Sequence, residues 1–263
     1  MNRTYENRFE DRIEAVEDLY LRFDKRASGS IIVFLAPHED KIVLDIEAEE
    51  YSYAKVFIQN RSEKAIEIEL NGHIHHDAKV ELGLLDLEDT PTTLKAKGLL
   101  QEQGATLDLY TATLCQSSEQ KKADIEVVSE VAHTYGTIHN FCVCFDKGQY
   151  DVVAAGRIIK GAYGSESHQE TRVLTLGKDH KCVVIPILYI DENDVKASHA
   201  LTIGQPDESQ LYYLCSRGLT PKQAMGLLSI GYFKPILGLI EDEALRHGLE
   251  EETERRVGIH EYS

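Results

Sequence analysis

The 263-residue chain has no stretch approaching the roughly 18 consecutive apolar residues of a membrane-spanning helix, which excludes that class of protein. Its opening residues, M-N-R-T-Y-E-N-R-F-E, lack the apolar segment of a secretory signal, so a cytoplasmic protein is expected. Positive charge is scarce. With 28 Lys and Arg against 45 Asp and Glu the formal net charge is -17, and no basic patch offsets it, so nucleic acid is not an expected ligand. Cysteine is present but odd in number: five in a chain of this length do not read as a disulfide framework, and a reducing compartment keeps them as thiols. Also missing are a Walker phosphate loop, a G-x-S-x-G elbow and an H-E-x-x-H pair. Nucleotide hydrolysis, serine hydrolase chemistry and zinc proteolysis therefore have no signature here, and no bound nucleotide is expected.

What is present is an ordinary core-forming composition, 42% hydrophobic and 28% charged, whose acidity reads as a solvated surface. Over residues 9–26, Phe9, Ile13, Val16, Leu19, Tyr20 and Phe23 recur at three- and four-residue intervals, and this spacing predicts a short N-terminal helix within residues 1–30, ended at Ser28-Gly29-Ser30. From 31 to 204 the period is two. Ile66, Ile68 and Leu70 alternate with Glu67 and Glu69, and Ile125 and Val127 with Asp124 and Glu126, so each segment has one apolar face. Few connections look like two-residue hairpin turns and no helical period interrupts the run, which favours a wound or stacked all-β body; a β-sandwich and a β-helix both fit. After Gly204 the residues 205–263 read as helical. Asp207 caps L-Y-Y-L-C-S-R with Gly218 as its stop, and Thr220-Pro221-Lys222-Gln223 has the form of a capping box. A helix from Ala224 to Ile230, another after Gly231 and a charged, solvated helix over 241–256 complete the segment.

Three clusters could carry chemistry. His73 and His75 of H-I-H-H share one side of a strand, but without a third ligand they read as an exposed polar strand face. In H-N-F-C-V-C-F, Phe141, Val143 and Phe145 claim the core face, so Cys142 and Cys144 are expected on the other, packed as small residues against a neighbouring strand or loop. His180, Cys182 and His199 form the third group. In V-K-A-S-H-A-L-T-I-G at 195–204, His199 stands on the same strand face as Val195, Ala197, Leu201 and Ile203, and in a β-helix with coils of about twenty residues, positions 180 and 199 fall on successive turns, close enough to share one ion; the pattern alone fits better a buried histidine with satisfied nitrogens and an unrelated loop histidine.

Two segments carry a family resemblance. S-H-Q-E-T-R-V-L-T-L-G at 167–177 and I-D-E-N-D-V-K-A-S-H-A-L-T-I-G-Q-P-D-E-S-Q-L-Y-Y-L-C-S-R-G-L-T at 190–220 resemble the SufB/SufD iron-sulfur cluster assembly proteins, most closely from about 150 to 240. The resemblance implies a mainly β protein, a right-handed parallel β-helix over 31–204 followed by a C-terminal helical domain over 205–263. It also implies pairing through the β-helix, with a SufB-like partner or as a homodimer, and docking of a SufC-like ATPase on the C-terminal helices. His199 falls on the histidine of the SufD-like segment S-H-G-A-T-V-G, with Ala200 in place of its glycine. His180 takes the position of the cluster-forming cysteine in the SufB segment L-L-I-G-D-Q-C, and Cys182 lies two residues on.

The resulting expectation is a non-catalytic component of an iron-sulfur assembly scaffold, with His199 and His180 holding iron or a nascent cluster and Cys182 as an accessory thiol. The rivals are a structural dimerisation and ATPase-docking module without metal chemistry, and a β-helix enzyme acting on acidic polysaccharides.

Overall fold

Alternating side chains build the walls of the molecule. In a computed structural model, which describes residues 1–258, the chain winds as a parallel β-solenoid. One wall holds β1 (Asn2–Tyr5), β3 (Leu19–Phe23), β5 (Lys41–Ala48), β7 (Ile66–Ile74), β9 (Thr92–Leu100), β11 (Gln120–Ser129), β13 (Gln149–Ile158) and β15 (Lys181–Ile190), in that order. The facing wall holds β2 (Arg8–Ala15), β4 (Ser28–Leu35), β6 (Tyr53–Asn60), β8 (Lys79–Asp86), β10 (Thr106–Cys115), β12 (Tyr135–Cys144), β14 (Glu166–Thr175) and β16 (Lys196–Gly204). Every neighbouring pair is parallel and in register, and the coils lengthen along the chain: Asn2 pairs with Tyr20, whereas Gln149 pairs with Lys181. Strands of 4 and 8 residues open the solenoid and strands of 10 and 9 close it.

The N-terminal helix expected over residues 9–26 is not there: β2 and β3 occupy it. A four-residue step is shared by a helix face and a strand face, so Phe9 and Ile13, or Leu19 and Phe23, satisfy either period. The turn at Val16-Glu17-Asp18 hides the break between the two strands. The strands accordingly begin at Asn2 rather than near residue 31.

Inward side chains such as Leu44, Ile46, Val56, Ile58, Ile68, Leu70 and Leu82 fill the lumen of the solenoid. A second apolar core lies outside it, where three helices fold back. These are α1 (Glu208–Ser216), α2 (Pro221–Leu237) and α3 (Glu243–Arg256). Ile230, Phe233, Ile236, Leu237 and Leu249 cover Phe57, Leu85, Leu114, Phe141 and Val143 on the outer face of the even-numbered wall. Gly83 permits the contact, since a Cβ there would lie 2.5 Å from Leu239 Cδ1. Because this wall is buried on both faces, alternation does not say which face is interior. Phe141 and Val143 point outward under the helices, and Cys142 and Cys144 point into the lumen, the reverse of the sequence expectation.

The caps read from sequence are present: Asp207 accepts from Ser209 N–H, and Thr220 and Gln223 form a reciprocal capping box. Gly231, read as a break, is internal to α2. A mid-helix glycine costs only about 1 kcal/mol relative to alanine, and burying Ile230, Phe233, Ile236 and Leu237 outweighs it. α3 is anchored rather than fully solvated. Arg256 donates to Glu88 at 2.9 and 3.2 Å and to Leu87 C=O, while Gln116 donates to Arg256 C=O at 2.6 Å.

One corner recurs in six successive coils as a residue of positive φ: Arg26, Tyr51, Asp77, Gly104, His133 and Gly164. Each of these amides donates to a carbonyl of the following coil, for example Asp77 to Gln103 and Gly104 to His133. Most of these positions tolerate a side chain. Gly104 does not, because a Cβ would lie 1.8 Å from Asp77 Oδ1 and 2.8 Å from its Cγ. Gly104→Ala is expected to lower stability by roughly 1–2 kcal/mol in urea unfolding, and Asp77→Ala in the same chain should recover part of that loss.

Next to this corner His75 sits between Glu47 (2.5 Å from Nε2) and Glu102 (3.3 Å from Nδ1), tying successive coils. Burial opposes its protonation, but the bonds to Glu47 and Glu102 and the charges of Glu47 and Glu49 outweigh burial and raise its pKa. A raised histidine pKa contributes stability that is complete below the unfolded value of about 6.5 and disappears as pH climbs through the folded value. The stability gap between wild type and His75→Gln should therefore be widest near pH 6 and close as pH rises, measured by urea unfolding at each pH.

Candidate functional site at the open end of the solenoid

Every strand but the first and last in each wall is bonded on both sides. β15 and β16 close the two sheets, and their outer edges have no partner among the described residues. The lumen is uncovered here. On β16, Ala197, His199, Leu201 and Ile203 stand in register above the buried Ser167, Gln169, Thr171 and Val173, yet all four are exposed, Leu201 by 41% and Ile203 by 44%. On β15, Cys182, Val184 and Pro186 face the same opening and are half-buried. His199 thus belongs to the interior surface of a solenoid that stops at its own level.

The apolar surface extends around the rim. Val183, Ile185, Tyr189 and Ile190 of β15 are exposed by 37–46%, and Val183 and Ile185 with Val153 line a surface groove of about 300 Å³. The opposite end differs in character: its edge strand β2, R-F-E-D-R-I-E-A, is charged, the usual protection against unwanted strand pairing.

His180 precedes β15, beside the odd-numbered wall, whereas His199 lies in the middle of β16 in the even-numbered wall. Coils here run about thirty residues, as the pairing of Glu166 with Lys196 shows, so 180 and 199 fall on opposite walls of one coil instead of on successive turns. His180 Nδ1 is buried without a hydrogen-bond partner. Its neighbour Asp146 is held below the usual carboxylate range, first by the amides of Asp179 and Lys178 and then by the charges of Lys147 and, last, His180. Among the described residues no group of three or more His, Cys, Asp or Glu is placed to hold a metal ion.

Sequence reasoning missed the surroundings of Cys182. Four thiols meet inside the last coils: Cys115 Sγ lies 3.9 Å from Cys142 Sγ, and Cys144 interacts with both Cys115 and Cys182. Cys115 and Cys144 are direct register partners, so their separation by one coil length was the available signal. All four are shifted toward the neutral thiol. The bond to Cys142 and burial raise Cys115; burial raises Cys142; the bond to Cys115 leads in pushing Cys144 up to about 12; and the bond to Cys144, followed by burial, raises Cys182 strongly. The set is a chain of protonated thiols running from the closed lumen to its mouth. His73 and His75, by contrast, take part in the coil-corner bonds, to Gln101 and to Glu47 and Glu102.

The lumen also changes polarity toward this end. Lys121 Nζ lies 2.7 Å from Asp86 Oδ2 and 3.0 Å from Thr92 Oγ1. Thr111, Asn140 and Thr171 bond one another in a register ladder at 2.8 and 3.1 Å.

The family model for the core domain of SufBD, of the SUF system of FeS cluster assembly, matches residues 12–232. The chain belongs to the SufBD family. It is 30% identical to the iron-sulfur cluster assembly protein SufD of Bacillus subtilis over 181 residues, 69% of this chain and 41% of that protein. Over 113 residues, 43% of this chain and 26% of the relative, it is 27% identical to SufD of Escherichia coli. A SufBD family protein of Mycobacterium bovis is 36% identical over 80 residues, 30% of this chain and 10% of its own length. The SufBD chain thus spans about two fifths of the Bacillus protein.

Burial and raised pKa values both keep thiols unreactive. In native alkylation with iodoacetamide, read by mass spectrometry, Cys115, Cys142 and Cys144 should stay unmodified and Cys182 react slowly, with all five cysteines labelled in urea.

Proposed function

We propose that this SufBD chain is a non-catalytic, cytoplasmic component of an iron-sulfur cluster assembly scaffold. It pairs through the open end of its solenoid, with a SufB-like chain or a second copy of itself, and a SufC-like ATPase docks on its C-terminal helices. The observation that carries the reading is the uncovered terminal coil, where His199 shares a strand face with exposed Leu201 and Ile203 and the strand edges have no partner among the described residues. An apolar face of this kind is stabilised when a second subunit covers it. Helix α1 supports the docking proposal: it buries none of its residues and presents Tyr212 and Tyr213, exposed by 78% and 55%, while α2 and α3 are held against the solenoid.

In this reading iron or a nascent cluster is cargo, held by His199 with His180 and accessory thiol Cys182. One chain offers too few converging donors, so the partner chain completes the set. The same shortage of donors favours a second reading, a pairing and docking module without metal chemistry.

The two readings separate in one experiment. The chain is co-expressed with a SufC-like ATPase and a SufB-like chain, purified anaerobically and reconstituted with iron and sulfide. Under the scaffold reading the complex co-purifies, and His199→Ala lowers bound iron and sulfide at least tenfold without dissolving it. Unchanged iron and sulfide in His199→Ala and His180→Ala would leave the docking module. Absence of any complex, with no iron or sulfide retained, overturns both.

A further inference from the structure

Polar side chains in register across neighbouring coils bond one another repeatedly in this molecule. Thr111 donates to Asn140, Asn140 to Thr171, Asn60 to Asp86, and His168 meets Ser198 at 2.7 Å; each pair is one of register partners. Gln169 and His199 are also register partners, on β14 and β16. Here each side has a vacancy.

Gln169 is buried, 4% exposed, and its Nε2 donates to Ile187 C=O on the facing wall at 2.6 Å. That bond fixes which end of the amide is nitrogen, because the flipped group would set oxygen against oxygen. Oε1 is left buried with no donor. Gly156 on β13 makes the room, since a Cβ there would lie 2.2 Å from Ser167 Oγ and 3.0 Å from Gln169 Nε2. One coil above, the His199 ring makes no hydrogen bond or ion pair among the described residues.

We infer that Gln169 is the positioning residue for His199: its Oε1 accepts a hydrogen bond from the N–H of one imidazole nitrogen and turns the other nitrogen, as a lone-pair donor, out of the open end. A buried carbonyl without a donor costs free energy, and an imidazole N–H is the group in register to satisfy it. The orientation also fixes the tautomer, as an outer partner does for a ligating histidine. The consequence for cluster assembly rests on the role proposed above for His199; the bond itself does not.

The test is imidazole 15N NMR on the full chain labelled at histidine, held at one pH where the rings are neutral, with His199 assigned by loss of its signals in His199→Ala. Wild type should show one tautomer, with two well-separated nitrogen resonances. Gln169→Leu should bring them together toward the averaged values of a free ring. Free-ring values in wild type overturn the inference whether or not the leucine variant folds, as does an unchanged tautomer in a folded Gln169→Leu. Loss of assembly activity plays no part in this readout, so the inference and the scaffold reading fail separately.

Discussion

A parallel solenoid satisfies each strand's backbone only with the strand of the next coil, so the stack is stable in its middle and exposed at its ends. Everything unusual about this chain follows from how it treats its two ends. The first coil is short, its second strand is charged, and Tyr5, Phe9 and Phe23 stack across it with centroids 4.9 to 5.8 Å apart. The last coil is left with apolar side chains, open edges and a histidine that a further coil would have buried.

The helical segment illustrates the same constraint on the outside. The even-numbered wall carries apolar residues on both faces, and a single-sheet exterior cannot shed that surface into water. α2 and α3 bury it, and the ties from Arg256 to Glu88 and from Lys55 to Glu241 fix their position. α1 packs on α2 and buries none of its own residues, and its tyrosines remain exposed.

Much of this was legible in the sequence, and the failures have identifiable causes. Period two from 31 onward, the Thr220 capping box and the family segments at 167–177 and 190–220 led to a parallel β body with C-terminal helices. The N-terminal helix was misread because a step of four residues serves both periods. Cys142 and Cys144 were assigned to the wrong face because alternation is silent about which side is interior when both are buried. His180 and His199 were set on successive turns by assuming twenty-residue coils, and the missing quantity was the coil length, which the separation of Cys115 from Cys144 encodes. The thiol cluster is a tertiary property: it depends on two walls facing each other, and no local window of sequence contains both.

The lengthening of the coils bears on assembly. A stack of identical molecules set head to tail would place the 4-residue β1 against the 10-residue β15, and a charged edge against an apolar one. Most of β15 would be left without hydrogen-bond partners at every junction. Taper therefore works against filaments, which need the two ends of one molecule to match. It leaves wide end to wide end as the matched arrangement, the one that the pairing proposed above would use.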